Sequence, residues 1–189
     1  MRLFVALALP DAVAQGLLLI QGGVPGAHWQ TRERLHLTLR FIGEVDGRDA
    51  AALDDALSGI RAPAFDLQLH SVGQFGGKQS HSLWVAARRN EALEHLQRKV
   101  DNAIRRVGQT SHRGGGDTHK FTPHVTLARL RNPETAKMLE WLTHHALYTS
   151  VEFPVDAFCL YSSKLTSDGS IYRVEQEYNL ESNYGKVDD

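Results

Sequence analysis

The feature that most constrains this chain is a four-residue pattern that occurs twice, as His36-Leu37-Thr38-Leu39 and as His124-Val125-Thr126-Leu127. Polar and apolar residues alternate in both, the period of a strand with one face on a core. Each His and Thr therefore project to one side, while Leu37, Leu39, Val125 and Leu127 project into a core. Ten His and ten Thr in 189 residues give chance about half of one His-x-Thr, and apolar second and fourth positions lower that to about a tenth. Either copy alone reads equally well as an ordinary half-exposed strand. Two copies in equivalent places point to a shared purpose.

The places are equivalent because the surrounding pattern also repeats. Apolar periodicity predicts a strand at 3–9, a helix at 11–21 with Asp11 as its N-cap, a turn-rich passage over 22–26, and a strand at 35–42. A helix at 48–60 follows, then a strand through Phe65, Leu67 and Leu69 that ends before Gly73. The second half restarts with a strand at 83–87, a helix at 91–107, a glycine-rich loop, a strand at 124–130, a helix at 133–147 and a strand at 151–161. A last strand at 171–178 pairs with what precedes it. The order β-α-β-α-β thus appears over 1–73 and again over 82–163, with a motif in the middle strand of each. An α+β fold is expected, a single bilobal catalytic domain over 1–181, with 182–189 a disordered tail.

Composition narrows the function. Twenty-one Lys and Arg stand against 22 Asp and Glu, so no whole-molecule positive field draws in nucleic acid, and any RNA contact must be local. The single cysteine, Cys159, lies between Phe158 and Leu160 and reads as a small buried thiol. The apolar start followed by Ala12-Val13-Ala14 imitates a signal peptide, but Pro10-Asp11 interrupts it early. No apolar run approaches the length of a membrane span. A soluble cytoplasmic protein without an obligate protein partner is the expectation.

Two imidazoles facing each other across a cleft suit phosphodiester chemistry. One neutral His takes a proton from water while one protonated His supplies a proton to the leaving ribose oxygen. Each threonine hydroxyl, on the same face as its histidine, can donate to a phosphate oxygen; Arg129 can grip the phosphate through two parallel hydrogen bonds. No metal or cofactor is called for. Two histidines without a nearby carboxylate would leave a divalent ion under-ligated, which disfavours a metal-dependent hydrolase. A non-catalytic binder of nucleotides or RNA ends is the other alternative, disfavoured because both motifs are complete. The remaining eight histidines, including the adjacent His144-His145 pair, lack ligand spacing. The Gly114-Gly115-Gly116 loop lacks the Lys-Ser/Thr of a phosphate-binding loop. Arg98, Lys99, Arg105 and Arg106 read as a solvated helix face.

Arg2-Leu3-Phe4-Val5-Ala6-Leu7 opens the chain. Leu35-His36-Leu37-Thr38-Leu39-Arg40-Phe41-Ile42-Gly43 and Pro123-His124-Val125-Thr126-Leu127-Ala128-Arg129 carry the motifs, and Leu160-Tyr161-Ser162-Ser163 with Tyr172 lies near the end. At these residues the chain resembles the two-histidine phosphoesterase family, and within it the RNA 2′,3′-cyclic phosphodiesterase branch, also called LigT-like or 2′-5′ RNA ligase proteins. The resemblance implies a bilobal fold with two antiparallel sheets flanking a cleft, and substrates that are RNA ends or nucleotides carrying a 2′,3′-cyclic phosphate. It implies that His36 is the general acid toward the ribose O3′ and His124 the general base toward water, leaving a 2′-phosphate. Phe41 would stack on the nucleobase, and Arg129 occupies the corresponding place in the second motif. Both lie an odd number of residues from their histidine, so strand parity turns them inward unless a bulge or strand end re-aims them. Without one, Arg40 is the cationic candidate and Phe41 is core. Many members carry an arginine before the second Pro-His, where this chain has Thr122; Lys120 or Arg113 is near enough in sequence to substitute.

Overall fold

The computed structural model describes residues 1–76, 81–110, 121–166 and 169–182. The first half runs β1 (Arg2–Ala8), α1 (Asp11–Leu19), β2 (Ala27–Trp29), a 3₁₀ turn (Arg32–Arg34), β3 (His36–Glu44), α2 (Gly47–Ser58), β4 (Phe65–Leu67) and β5 (Leu69–Phe75). The second runs β6 (Ser82–Ala87), α3 (Glu91–Thr110), β7 (His124–Leu130), α4 (Thr135–His144), β8 (Phe153–Val155), β9 (Ala157–Thr166) and β10 (Gly169–Asn179). The motif leucines and valine are buried as their parity requires, Leu39 at 3% exposure and Leu37, Val125 and Leu127 at 0%.

Several boundaries differ from expectation, each for a local reason. β2 lies just past the glycine-rich passage read as turn, held by three backbone pairs to β7. Asp11 is the first residue of α1, not its cap; Pro10 holds that place without a side-chain bond, and the Asp11 carboxylate instead pairs with Arg32. β5 continues through Gly73 to Phe75 because Gly73 lies opposite Trp84 on β6. The expected strand at 151–161 is two strands, since β8 pairs with β4 while β9 pairs with β1. The chain changes partner at Asp156, whose carbonyl accepts the Leu180 N–H at 2.7 Å. The expected tail falls almost wholly on 183–189, outside the described residues, as does the glycine-rich loop.

All pairs between these named strands are antiparallel. The main sheet has eight strands in the order β10-β9-β1-β3-β7-β6-β5, with β2 also on β7, and its two four-stranded halves, β10-β9-β1-β3 and β2-β7-β6-β5, join through the single pair Leu37↔Val125. These are the equivalent residues of the two motifs, so the contact lies on the local axis of the repeat. A second such contact is the small sheet β4-β8, centred on Asp66↔Pro154. Each half gives two strands to the other: β2 and β5 pair with β7 and β6, and β9 pairs with β1 and carries β10. One face of the sheets packs on the helices. α2 and α3 lie against one another, and α4 is tied to the end of α1 by the Trp141 indole N–H, which donates to the Ile20 carbonyl at 2.8 Å. No helix among the described residues is long and apolar enough to cross a membrane.

Candidate active site

The other face of the sheets holds the motif side chains. Extending the Leu37↔Val125 register by one residue each way sets His36 opposite Thr126 and Thr38 opposite His124. The histidines occupy the diagonal of that square, near enough for the charge of His124 to act on His36. With only one pair formed, the sheets diverge beyond it, and all four half-buried side chains line the opening.

Each imidazole is fixed in the same way. His36 Nδ1 lies 2.8 Å from the Arg34 carbonyl, and His124 Nδ1 lies 2.6 Å from the Thr122 carbonyl. A carbonyl only accepts, so Nδ1–H donates in both and Nε2 is left as the nitrogen for chemistry. Burial pushes His36 down from its ordinary value to about 4, against the hydrogen bond to Arg34, and the charges of His124 and Arg129 add to the depression. His124 is lowered first by burial and then by Arg129, again against its carbonyl bond. The Arg129 guanidinium thus acts on both histidines.

Aromatic side chains supply the burial. Phe4 lies 4.9 Å from the His36 ring and stacks on Tyr161 at 5.1 Å, while Tyr172 meets His36 edge-on at 5.2 Å. Around His124 stand Phe75, edge-on at 4.9 Å, and Trp84 at 6.1 Å. The Trp84 indole lies directly over Gly73, where a Cβ would come within 2.2 Å of the ring. Sequence reasoning gave no role to any of these five aromatics. The legible sign for Trp84 was a bare glycine at strand parity with Phe75.

The parity conflict at Phe41 and Arg129 is resolved by two matching bulges. On β3, Thr38 pairs with Ala6 and Arg40 with Val5, so Leu39 is extra; on β7, Thr126 pairs with Trp84 and Ala128 with Leu83, so Leu127 is extra. Two consecutive residues then face inward in each strand, and the next is returned to the cleft face. Phe41 is 54% exposed and 5.9 Å from Phe4; Arg129 is exposed and paired with Ser82, two residues from Trp84 on the same face. Arg40 consequently goes to the core side, 8% exposed, with an ion pair to Asp101 at 3.2 Å. Lys120 and Arg113 lie outside the described residues. Cys159 is buried, and burial pushes its thiol up to about 11. The rings of His144 and His145 stand 4.8 Å apart and nearly perpendicular, on α4 and its C-cap.

Residues 18–166 match the family model described as "2'-5' RNA ligase superfamily". An RNA 2′,3′-cyclic phosphodiesterase of Thermotoga maritima is 32% identical over 161 residues, covering 82% of this chain and 81% of the relative. One of Thermus thermophilus is 30% identical, covering 98% of this chain and 93% of the relative. A crystal structure of a Thermus thermophilus protein superposes with a TM-score of 0.78 at 27% identity, over 97% of this chain and all of that one. A match across more than half the chain, with two His-x-Thr strands back to back at the centre of a LigT-like fold, makes this chain a member of the 2′-5′ RNA ligase superfamily.

Proposed function

We propose that this protein is an RNA 2′,3′-cyclic phosphodiesterase that opens the cyclic phosphate to a 2′-phosphomonoester by acid–base catalysis between His36 and His124, without a metal or cofactor. The observation that carries this reading is the central square of His36, Thr38, His124 and Thr126 with both Nε2 atoms left free by matched carbonyl bonds. Water attacks phosphorus while His124 Nε2 takes its proton. The P–O3′ bond breaks as His36 Nε2–H delivers a proton to O3′. Thr38, Thr126 and Arg129 donate to the non-bridging oxygens, where negative charge builds. Phe41 stacks on the terminal base. With a 5′-hydroxyl in place of water, the same steps join two RNA ends through a 2′-5′ bond.

The acid role requires a protonated His36, and burial opposes that in the empty site. The substrate resolves the conflict, because a phosphate anion between the imidazoles offsets Arg129 and favours the imidazolium. Proton uptake is therefore coupled to binding, and nucleotide affinity should rise as pH falls toward 5. The deciding test is incubation of a 2′,3′-cyclic-phosphate oligoribonucleotide with the protein in EDTA. The expected product ends in a 2′-phosphate. Unchanged substrate at high enzyme concentration would leave only a binder, and activity abolished by EDTA would show that a metal is needed.

A further inference from the structure

The two walls of the cleft differ in charge. The strands of the first wall include β10, which carries Glu175 and Glu177, and its cleft face near His36 is aromatic. The strands of the second wall, β2, β5, β6 and β7, contain no Asp or Glu, and present His124 and Arg129. A chain with net charge −1 thus has a cleft wall with no acidic residue in its strands.

His28 continues that wall outward. On β2 it pairs directly with Arg129, between Ala27↔Leu130 and Trp29↔Ala128. Leu130 and Ala128 are buried, and Ala27 and Trp29 pack against the core, so His28 and Arg129 share the opposite face. That face is the cleft face, because Ser82, the other neighbour of Arg129, pairs in turn with Phe75, whose ring touches His124. Directly opposed residues have Cβ atoms about 5 Å apart, and both side chains are exposed. The local backbone is built to hold β2 there. Gly26 adopts φ +80° and accepts the Arg131 N–H at 2.8 Å, in a contact where a Cβ would come within 2.4 Å of the Arg131 carbonyl.

We propose that His28 and Arg129 form a second phosphate subsite, which takes the phosphodiester on the 5′ side of the terminal nucleotide and so selects oligoribonucleotide ends over cyclic mononucleotides. This rests on the reading of His36 and His124 as the catalytic pair. The terminal phosphate sits at the motif square and the base lies on the aromatic wall, so the backbone leaves across the wall whose strands carry no carboxylate. Arg129, which acts on both histidines, bridges the two phosphates, and His28 donates a hydrogen bond to the outer one.

The test compares a nucleoside 2′,3′-cyclic phosphate with a dinucleotide ending in the same group, for wild type, His28→Ala and His28→Lys. His28→Ala should raise KM for the dinucleotide about tenfold, the worth of one hydrogen bond to a charged group. Its kcat and its mononucleotide kinetics should not change, and His28→Lys should restore the dinucleotide KM. An equal loss on both substrates, or on neither, overturns the subsite. Affinity for the dinucleotide ending in a 2′-phosphate, followed by fluorescence polarisation, gives the same comparison without turnover. If wild type turned over neither substrate, the catalytic reading would fail, and unchanged product affinity in His28→Ala would overturn the subsite as well.

Discussion

At the residue scale, the proposed mechanism gives opposite jobs to two histidines with the same hydrogen bond and the same direction of pKa shift. Leaving-group rescue separates them. Alanine at either position should cost on the order of 10² to 10⁴ in rate, and the two losses should not multiply in the double mutant. A substrate whose leaving oxygen needs no proton should rescue His36→Ala but not His124→Ala; the reverse would exchange the two roles. Arg129 gives a second handle, because its charge lowers both histidines. In Arg129→Gln the imidazole titrations followed by NMR should move to higher pH while kcat falls. Rate against pH should be bell-shaped, with the kcat/KM profile, which reports the empty enzyme, lying at lower pH than the kcat profile. Coincident profiles would show that substrate does not restore the proton to His36. The same depression affects stability. A histidine whose folded pKa is lowered contributes stability above its unfolded value, near 6.5, that is lost as pH falls toward about 4.

At the element scale, the strands that carry chemistry were legible because their alternation is strict. β7 was read at its observed bounds, and the core residues of both motifs followed from parity alone. What parity could not supply was the bulge. One inserted residue leaves no composition signal: the extra residue is a leucine in both strands, and the residue after it is Arg40 in one and Ala128 in the other, although both turn to the core side. Parity therefore leaves Arg40 open between cleft and core, and Asp101 on α3 receives it on the core side. β2 was hidden for another reason: three residues after a glycine-rich turn are too short for periodicity to register, and their pairing partner lies about 100 residues away. The aromatic support of His124 offers a test at this scale. Gly73→Ala places a methyl group where the Trp84 ring lies, so the ring must move or β5 must part from β6. We expect a loss of about 1 to 3 kcal/mol in chemical denaturation, with a fall in kcat that Gly73→Ser repeats. A variant of unchanged stability and rate would mean that Trp84 does not hold His124 in place.

At the scale of the whole molecule, the repeat in the sequence is not a pair of separable halves. A chain folded as two consecutive lobes would pair the strands of each half with one another. Here β5 leaves the first half to become the edge of the second sheet, and β9 returns to pair with β1. The halves also meet on their own axis at Leu37↔Val125 and at β4-β8. Sequence pattern gave the four helices and the two motif strands in order, but it missed β2, read β4 with β5 and β8 with β9 as single strands, and could not give this exchange, because strand order in a sheet depends on long-range pairing that local periodicity does not encode. Neither half buries its own core alone, so the chain should unfold as one cooperative unit despite its bilobal shape. Calorimetry should give a single transition with equal calorimetric and van't Hoff enthalpies, and a fragment ending after β5 should fail to fold. Inhibitory nucleotide should raise the midpoint of that one transition, since a ligand gripped by His36 on one lobe and His124 on the other binds only when both are formed. Two resolved transitions, with only one moved by nucleotide, would show instead that the lobes are independent and that one of them holds the ligand unaided.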